Sequence, residues 1–474
     1  MIKISRNILL TTDSYKLSHF LQYPPGTSNV YSYLESRGGK FRNTLFFGLQ
    51  YFLKEYLEGQ VVTQEKIDEA EDIAKLHFGS DTNCFNRAGW QSILEKHGGK
   101  LPVRIKAVPE GTILPNKNVL MTIENTDPDA YWLTNYLETL LVQVWYPITV
   151  ATQSWYMKQI ITDYLNETGN PNGLLFKLHD FGFRGVSSVE TAGIGAAAHL
   201  VNFRGTDTLE GIRVARNYYD EPMAGFSIPA SEHSTITSWT REGEVKAFAN
   251  MLKQYPKGLV ACVSDSFDIF KACKELWGEQ LRMKVNAREG TLVVRPDSGN
   301  PVEVVNKVLT ILGEQFGVDT NEKGYKVLSD KVRVIQGDGI DLAMMKSILQ
   351  SMKENGWSAD NIAFGSGGGL LQKLDRDTLK FAFKCSSVTV DGEERAVFKS
   401  PITDTVKVSK KGRLKLVTFG GLYSTIGEAH HISMPDVLET VFENGVITKE
   451  YDMADIRRRA ERSTENIRFM GGYE

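Results

Sequence analysis

Residues 291–316 read TLVVRPDSGNPVEVVNKVLTILGEQF. The run 291–294 is short, apolar and β-branched, as a buried strand is. Arg295, Pro296, Asp297, Ser298 and Gly299 break it. Beyond Pro301, residues Val302, Val305, Val308, Leu309 and Leu312 recur at helical spacing. The same strand, polar turn and helix recur on both sides. Upstream, 174–178 leads to a helix over 188–201, 226–228 to 234–254, and 259–263 to 268–277. Downstream, 332–335 leads to 341–355 and 361–364 to 370–375, with 381–383 following. Right-handed crossovers wind such a series into a parallel sheet. Seven candidate strands suit an irregular (β/α) barrel better than a short open sheet, with a doubly wound sheet as the rival.

Each apolar run ends in polar or glycine residues: His179-Asp180-Phe181-Gly182-Phe183-Arg184, Glu232-His233-Ser234, Ser264-Asp265-Ser266, Arg295-Pro296-Asp297-Ser298-Gly299, Gln336-Gly337-Asp338-Gly339 and Gly365-Ser366-Gly367-Gly368-Gly369. In a (β/α) barrel the carboxyl ends of the strands face one rim, which carries the active site. One polar strand end means little, but a series of them converging means a site.

The flanks differ. Residues 1–170 mix strand-like runs (30–34, 103–108) with helical ones (45–57, 131–144) between the turns Pro24-Pro25-Gly26, Gly38-Gly39 and Gly98-Gly99. After Lys384 come a hairpin-like segment, 388–397 around Asp391-Gly392, and a basic helix near 454–462. At about 150 residues per domain, 474 residues make two or three units. Lys plus Arg number 55 against 58 Asp plus Glu, a net charge of −3, which argues against a dedicated nucleic-acid binder but not against a phosphorylated ligand. Cys84, Cys262, Cys273 and Cys385 show no C-x-x-C spacing, so no zinc ribbon or redox motif is indicated. The N-terminus lacks a signal-peptide core, and the apolar stretch 136–150 is too short and too polar to span a bilayer. A soluble cytoplasmic protein without membrane partners is expected.

The glycine run 365–369 suits phosphate, because glycines let backbone N–H groups approach an anion; a tight turn is the plainer alternative. Arg184, Arg295 and Arg376 suit bidentate phosphate contacts, although any one of them alone reads as a surface ion pair. Lys384, Lys399 and Lys407 form a looser basic set. Asp265, Asp297 and Asp338 are candidate Mg²⁺ ligands, with helix capping an equal alternative for Asp297. His233 stands beside Glu232, a carboxylate able to orient its ring. His179 and His199 read as structural. Together these residues describe an enzyme handling a phosphorylated, magnesium-bound small molecule, with Phe181 able to stack a flat substrate.

Several runs closely resemble the nicotinamide phosphoribosyltransferase family. They are Thr12-Asp13-Ser14-Tyr15-Lys16, 179–188, Glu190-Thr191-Ala192-Gly193-Ile194-Gly195, Gly205-Thr206-Asp207, Glu232-His233-Ser234-Thr235, 295–301, Gln336-Gly337-Asp338-Gly339 and 364–374. The match is in order, and the chain beyond 415 matches least; Phe183 replaces a tyrosine of the animal enzymes. The resemblance implies the irregular α/β barrel of the type II phosphoribosyltransferases over 171–390. With it goes an α+β domain formed from both chain ends, 1–170 and 391–474. It implies a homodimer with the active site at the interface. The implied reaction joins nicotinamide to 5-phosphoribosyl 1-diphosphate, assisted by Mg²⁺ and by ATP hydrolysis through a phosphohistidine.

By motif, Phe181 and the partner subunit's Tyr15 would stack the nicotinamide ring, and Asp207 would accept from its carboxamide. Arg295 would contact the ribose or carboxamide, and Asp297 would lie at the reacting centre. Gly337, Asp338, Gly367, Gly368 and Arg376 would hold the ribose and 5′-phosphate. Arg184 and His233 would lie on the diphosphate side, with His233 phosphorylated; Lys384, Lys399 and Lys407 are weaker diphosphate candidates. Asp265 and Asp297 are the expected magnesium ligands. The alternatives are a nicotinate or quinolinate phosphoribosyltransferase, a non-catalytic nicotinamide- or nucleotide-binding protein with a signalling role, and an unrelated sugar-phosphate barrel.

Overall fold

The computed structural model describes residues 6–80, 82–400, 402–403, 408–429, 434–470 and 472–473. The chain forms two compact units, the first Met1–Thr152 with Leu374–Glu474 and the second Gln153–Lys373.

The second unit is the barrel. Its strands are β1 Leu178–Asp180, β2 Gly205–Thr206, β3 Lys257–Val263, β4 Glu289–Arg295, β5 Val332–Gln336 and β6 Ile362–Ser366, in the spatial order β2-β1-β6-β5-β4-β3. All pairings are parallel. The two outer strands meet through the segment 226–230, where Phe226 bridges Gly205 and Ala230 bridges Ala261. Helices follow the strands. Pro301–Phe316 after β4 is the amphipathic one expected, burying Val304, Val305, Val308, Leu309 and Leu312.

Strand alternation separates two faces. One face carries Ala261, Val293, Ile335 and Ala363, which gather with Ile228 and Phe181 inside the ring. The other carries Val260, Cys262, Leu292, Val294, Val334 and Phe364, all fully or almost fully buried. Small inward side chains leave the ring unfilled, and an apolar cavity of about 380 Å³ runs between its strands. At its amino end the half-buried Lys177 donates to the carbonyls of Ala359, Asp360 and Ile362 at 2.9–3.0 Å. Burial pushes this ammonium down to about 8.

The first unit is α+β. Its seven-stranded antiparallel sheet runs Glu393–Ala396, Phe381–Val390, Thr27–Ser36, Val119–Asn125, Val103–Ala107, Glu439–Glu443 and Val446–Ile447. Residues 381–383, read from sequence as the last strand of the β-α series, instead begin Phe381–Val390, which pairs with Thr27–Ser36. The hairpin around Asp391-Gly392 forms as expected, with φ positive at both turn residues (51° and 80°). The basic helix extends over Met453–Phe469. Among the described residues no helix is long and apolar enough to cross a membrane.

Candidate active site

At the carboxyl rim of the barrel, β1 runs into Phe181 and β2 into Asp207. Both residues line the cavity, with His179, Phe226, Ser227 and Arg295. The Phe181 ring lies where side chains at Gly365 and Gly337 would be. A Cβ at Gly365 would sit 2.0 Å from the ring, and one at Gly337 3.1 Å. Gly337, expected at the ribose, therefore also makes room for the aromatic platform.

Asp207 accepts from the Ser227 hydroxyl, and its Oδ1 lies 3.3 Å from His179 Nε2. Burial alone disfavours its charge. The hydrogen bonds from His179 and Ser227, with the positive charge of Arg295, outweigh that and hold the carboxyl below its ordinary range. An apolar slot with one ionised acceptor at its mouth suits a flat ring bearing an N–H₂ donor.

The next two strand ends meet at His233. Its Nε2 lies 3.0 Å from Asp265 Oδ1, and its Nδ1 4.0 Å from Asp297 Oδ2. Asp265 is buried at its side chain and uses its other oxygen on the Asp297 N–H (3.2 Å) and the Ser298 hydroxyl (2.6 Å). Glu232, the expected orienting neighbour, instead caps the short helix His233–Thr237 through a capping box with Thr235. Asp265 takes the orienting role and leaves Nδ1 as the nitrogen with the lone pair.

The capping alternative for Asp297 falls to Asn300, whose Oδ1 accepts from Val302 N at 3.1 Å. Asp297 keeps its carboxylate in the site, 3.7 Å from Arg295 Nη2. Burial raises its pKa, Asp265 and Asp338 add to the rise, and Arg295 and His233 oppose it. Among the described residues no three acidic, His or Cys side chains form a metal cluster. A magnesium ion coordinated mostly by phosphate and water needs only one or two carboxylates, and Asp297, held by the longer ion-pair contacts to Arg295 and His233, fits that demand better than the hydrogen-bonded Asp265.

The glycine run ends β6 and opens the helical turn Gly368–Leu371. A Cβ at Gly369 would strike Ile340 O at 2.4 Å, whereas one at Gly368 would meet open space. Arg184 and Asp338 are exposed. The other expected residues belong to the first unit. Tyr15 is exposed, with His19 edge-on at 4.9 Å. Arg376 is exposed beside Asp377 (3.7 Å), and Lys399 is exposed. Lys384 is half-buried, and its ammonium is held below its usual range by burial and by the charges of Arg37, Lys399 and Arg376. Lys407 lies outside the described residues. Sequence reading missed Ser227, for which a serine inside the apolar run 226–228 was the available signal.

Residues 176–446 match the nicotinate phosphoribosyltransferase (NAPRTase) family, and residues 7–105 match the nicotinamide phosphoribosyltransferase N-terminal domain. The chain is 53% identical over 465 residues to a nicotinamide phosphoribosyltransferase of Xanthomonas campestris pv. campestris (strain 8004), covering 96% of this chain and 98% of that one. It is 32% identical over 500 residues to one of Acinetobacter baylyi, covering 98% of each. Two solved structures share the fold. Nicotinate-nucleotide pyrophosphorylase from Pyrococcus furiosus aligns with a TM-score of 0.62 at 18% identity over 98% of both chains. Human nicotinic acid phosphoribosyltransferase aligns at 0.60 and 15%, over 96% of this chain and 94% of that one. The barrel and α+β architecture is thus that of the type II phosphoribosyltransferases, and the chain belongs to the nicotinate phosphoribosyltransferase family as one of its nicotinamide phosphoribosyltransferases, enzymes of phosphoribosyl transfer in NAD salvage.

Proposed function

We propose that the protein joins nicotinamide to 5-phosphoribosyl 1-diphosphate, giving nicotinamide mononucleotide and diphosphate, and that ATP assists by phosphorylating His233. The observation that carries this reading is the meeting, in one apolar cavity, of the Phe181 ring with the Asp207 carboxyl, which its neighbours hold below the ordinary carboxylate range. The curated relatives bear the same activity in their names.

The pyridine nitrogen of nicotinamide has its own lone pair, so its attack on ribose C1 needs no general base. The C1–oxygen bond breaks, and diphosphate leaves with the bonding pair. The protein's part is to hold ring and ribose in line and to stabilise the leaving charge. Phe181 stacks one face of the ring, the partner subunit's Tyr15 stacks the other, and Asp207 accepts from the carboxamide. Arg295 and Asp297 flank the reacting centre. Gly337, Asp338, Gly367, Gly368 and Arg376 hold the ribose and its 5′-phosphate, and Arg184 faces the diphosphate with Lys384, Lys399 and Lys407. Asp297, beside Asp265, would hold Mg²⁺, which would supply positive charge to the diphosphate.

In the ATP step the free ring nitrogen of His233 takes the γ-phosphoryl group and ADP departs; water later releases phosphate from the histidine. Asp265, bonded to the opposite nitrogen, stabilises the cationic ring.

Product analysis with 5-phosphoribosyl 1-diphosphate and either nicotinamide or nicotinate, with and without ATP, tests the whole reading. Nicotinamide mononucleotide should form from nicotinamide, faster with ATP, and His233→Ala should lose only the ATP-dependent gain. Nicotinate mononucleotide as the main product would overturn the substrate assignment. An ATP gain surviving in His233→Ala would remove the phosphohistidine.

A further inference from the structure

Asp180 is fully buried, yet it is acidic and does not line the cavity. It ends β1, directly opposite Thr206 at the end of β2. Its Oδ1 accepts from Gly182 N at 2.7 Å, and its Oδ2 from the Thr206 hydroxyl at 2.9 Å. Its backbone carbonyl accepts from Asp207 N at 3.0 Å. The Thr206 hydroxyl oxygen in turn accepts from Thr208 N at 2.9 Å.

The residues on either side of Phe181 and of Asp207 are thus tied to one carboxylate. Burying a carboxylate is costly unless hydrogen bonds satisfy it, and no ion pair with lysine or arginine is formed by Asp180 among the described residues. An apolar side chain would fill the same space at less cost, so the hydrogen-bonded acid has another use. Strand alternation points Asp180 away from the cavity into which Phe181 projects, so it does not touch a ligand there.

We propose that Asp180 is the positioning residue that fixes the stacking ring of Phe181 relative to the acceptor Asp207, and so sets the affinity for a flat amide substrate. The inference rests on the reading of Phe181 and Asp207 given under Proposed function.

The test measures kcat and both KM values in full-length Asp180→Asn and Thr206→Val, with folding checked by circular dichroism and melting temperature. Asn keeps the shape and one acceptor; Val keeps the shape of Thr206 and removes only its hydroxyl. Both should raise the nicotinamide KM, by about tenfold in Asp180→Asn, and leave kcat and the 5-phosphoribosyl 1-diphosphate KM within about twofold. An unchanged nicotinamide KM in folded protein, or both KM values and kcat moving together, would overturn the proposal. If Asp180→Asn does not fold, Thr206→Val alone decides. Phe181→Ala and Asp207→Ala run in parallel. If they leave the nicotinamide KM unchanged, the substrate reading has failed and the positioning role falls with it. If they raise it while Asp180→Asn and Thr206→Val do not, only the positioning role is lost.

Discussion

At Asp207 the neighbours His179, Ser227 and Arg295 keep a charge in place against burial. An amide can donate to that charge, whereas a carboxylate substrate is repelled by it. Asp207→Ser should therefore raise the ratio of kcat/KM for nicotinate over nicotinamide by about tenfold, read from competing substrates; an unchanged ratio would refute the role. A second residue sets an acid limit on stability. His199 is fully buried between the Ser154 hydroxyl (2.9 Å) and the Gly205 carbonyl (3.2 Å), and burial pushes its imidazole down to about 3. Below about pH 6.5 the unfolded chain binds a proton there that the folded chain refuses until about pH 3. The stability is therefore complete above that window and falls as pH drops through it, by about 1.4 kcal/mol per pH unit from this one group. Urea titrations between about pH 4 and 6 should show a shallower slope in His199→Gln. Much of this scale was legible: His233, Asp297 and Arg295 do gather, because strand-end positions follow from the β-α pattern. What could not be read was which carboxylate meets which side chain. Glu232 is adjacent to His233 in sequence, but helix capping claims it, and Asp265 arrives from the next strand.

Strand β6 shows how an element serves the site by what it omits. Gly365 lies on the inward face, and the Phe181 ring occupies the space its side chain would fill. Gly365→Ala should displace the ring and raise the nicotinamide KM about tenfold, with a lowered melting temperature; normal affinity would show that the ring has no stacking role. The sequence suggested a phosphate loop here, and the packing adds that its first glycine faces the aromatic ring. Most of the barrel strands were legible because parallel strands buried on both faces read as apolar runs. β2 was not, since Gly205–Thr206 is two residues long and carries no periodicity. Residues 381–383 were apolar as expected, but no local pattern states which sheet a strand joins; that depends on Thr27–Ser36, far away in sequence.

For the molecule as a whole, the expected site residues divide between the two units, with Tyr15 in one and Phe181 in the other. If each site takes Tyr15 from a partner subunit, then mixing Tyr15→Ala with Phe181→Ala restores one intact site per mixed dimer. About a quarter of wild-type activity should return at low nicotinamide after subunit exchange, and no recovery would place both residues in one chain. The net charge of −3 gave no hint of this, because a few rim cations vanish in a whole-chain sum. The ring of strands has a further consequence. It is closed by 226–230 through a single bridge and two backbone bonds on each side, Phe226 N to Arg204 O and Thr206 N to Phe226 O on one, Ala261 N to Pro229 O and Ser231 N to Ala261 O on the other, rather than by a full ladder. A seam held by so few bonds opens more readily than the central strands. Asp207 lies just past one side of the seam and Ser227 on the other, joined by their hydrogen bond. A ligand gripping Asp207 would act as a stitch across it, so that slowed deuterium uptake at Phe226 reports an occupied barrel without any need to watch the chemistry.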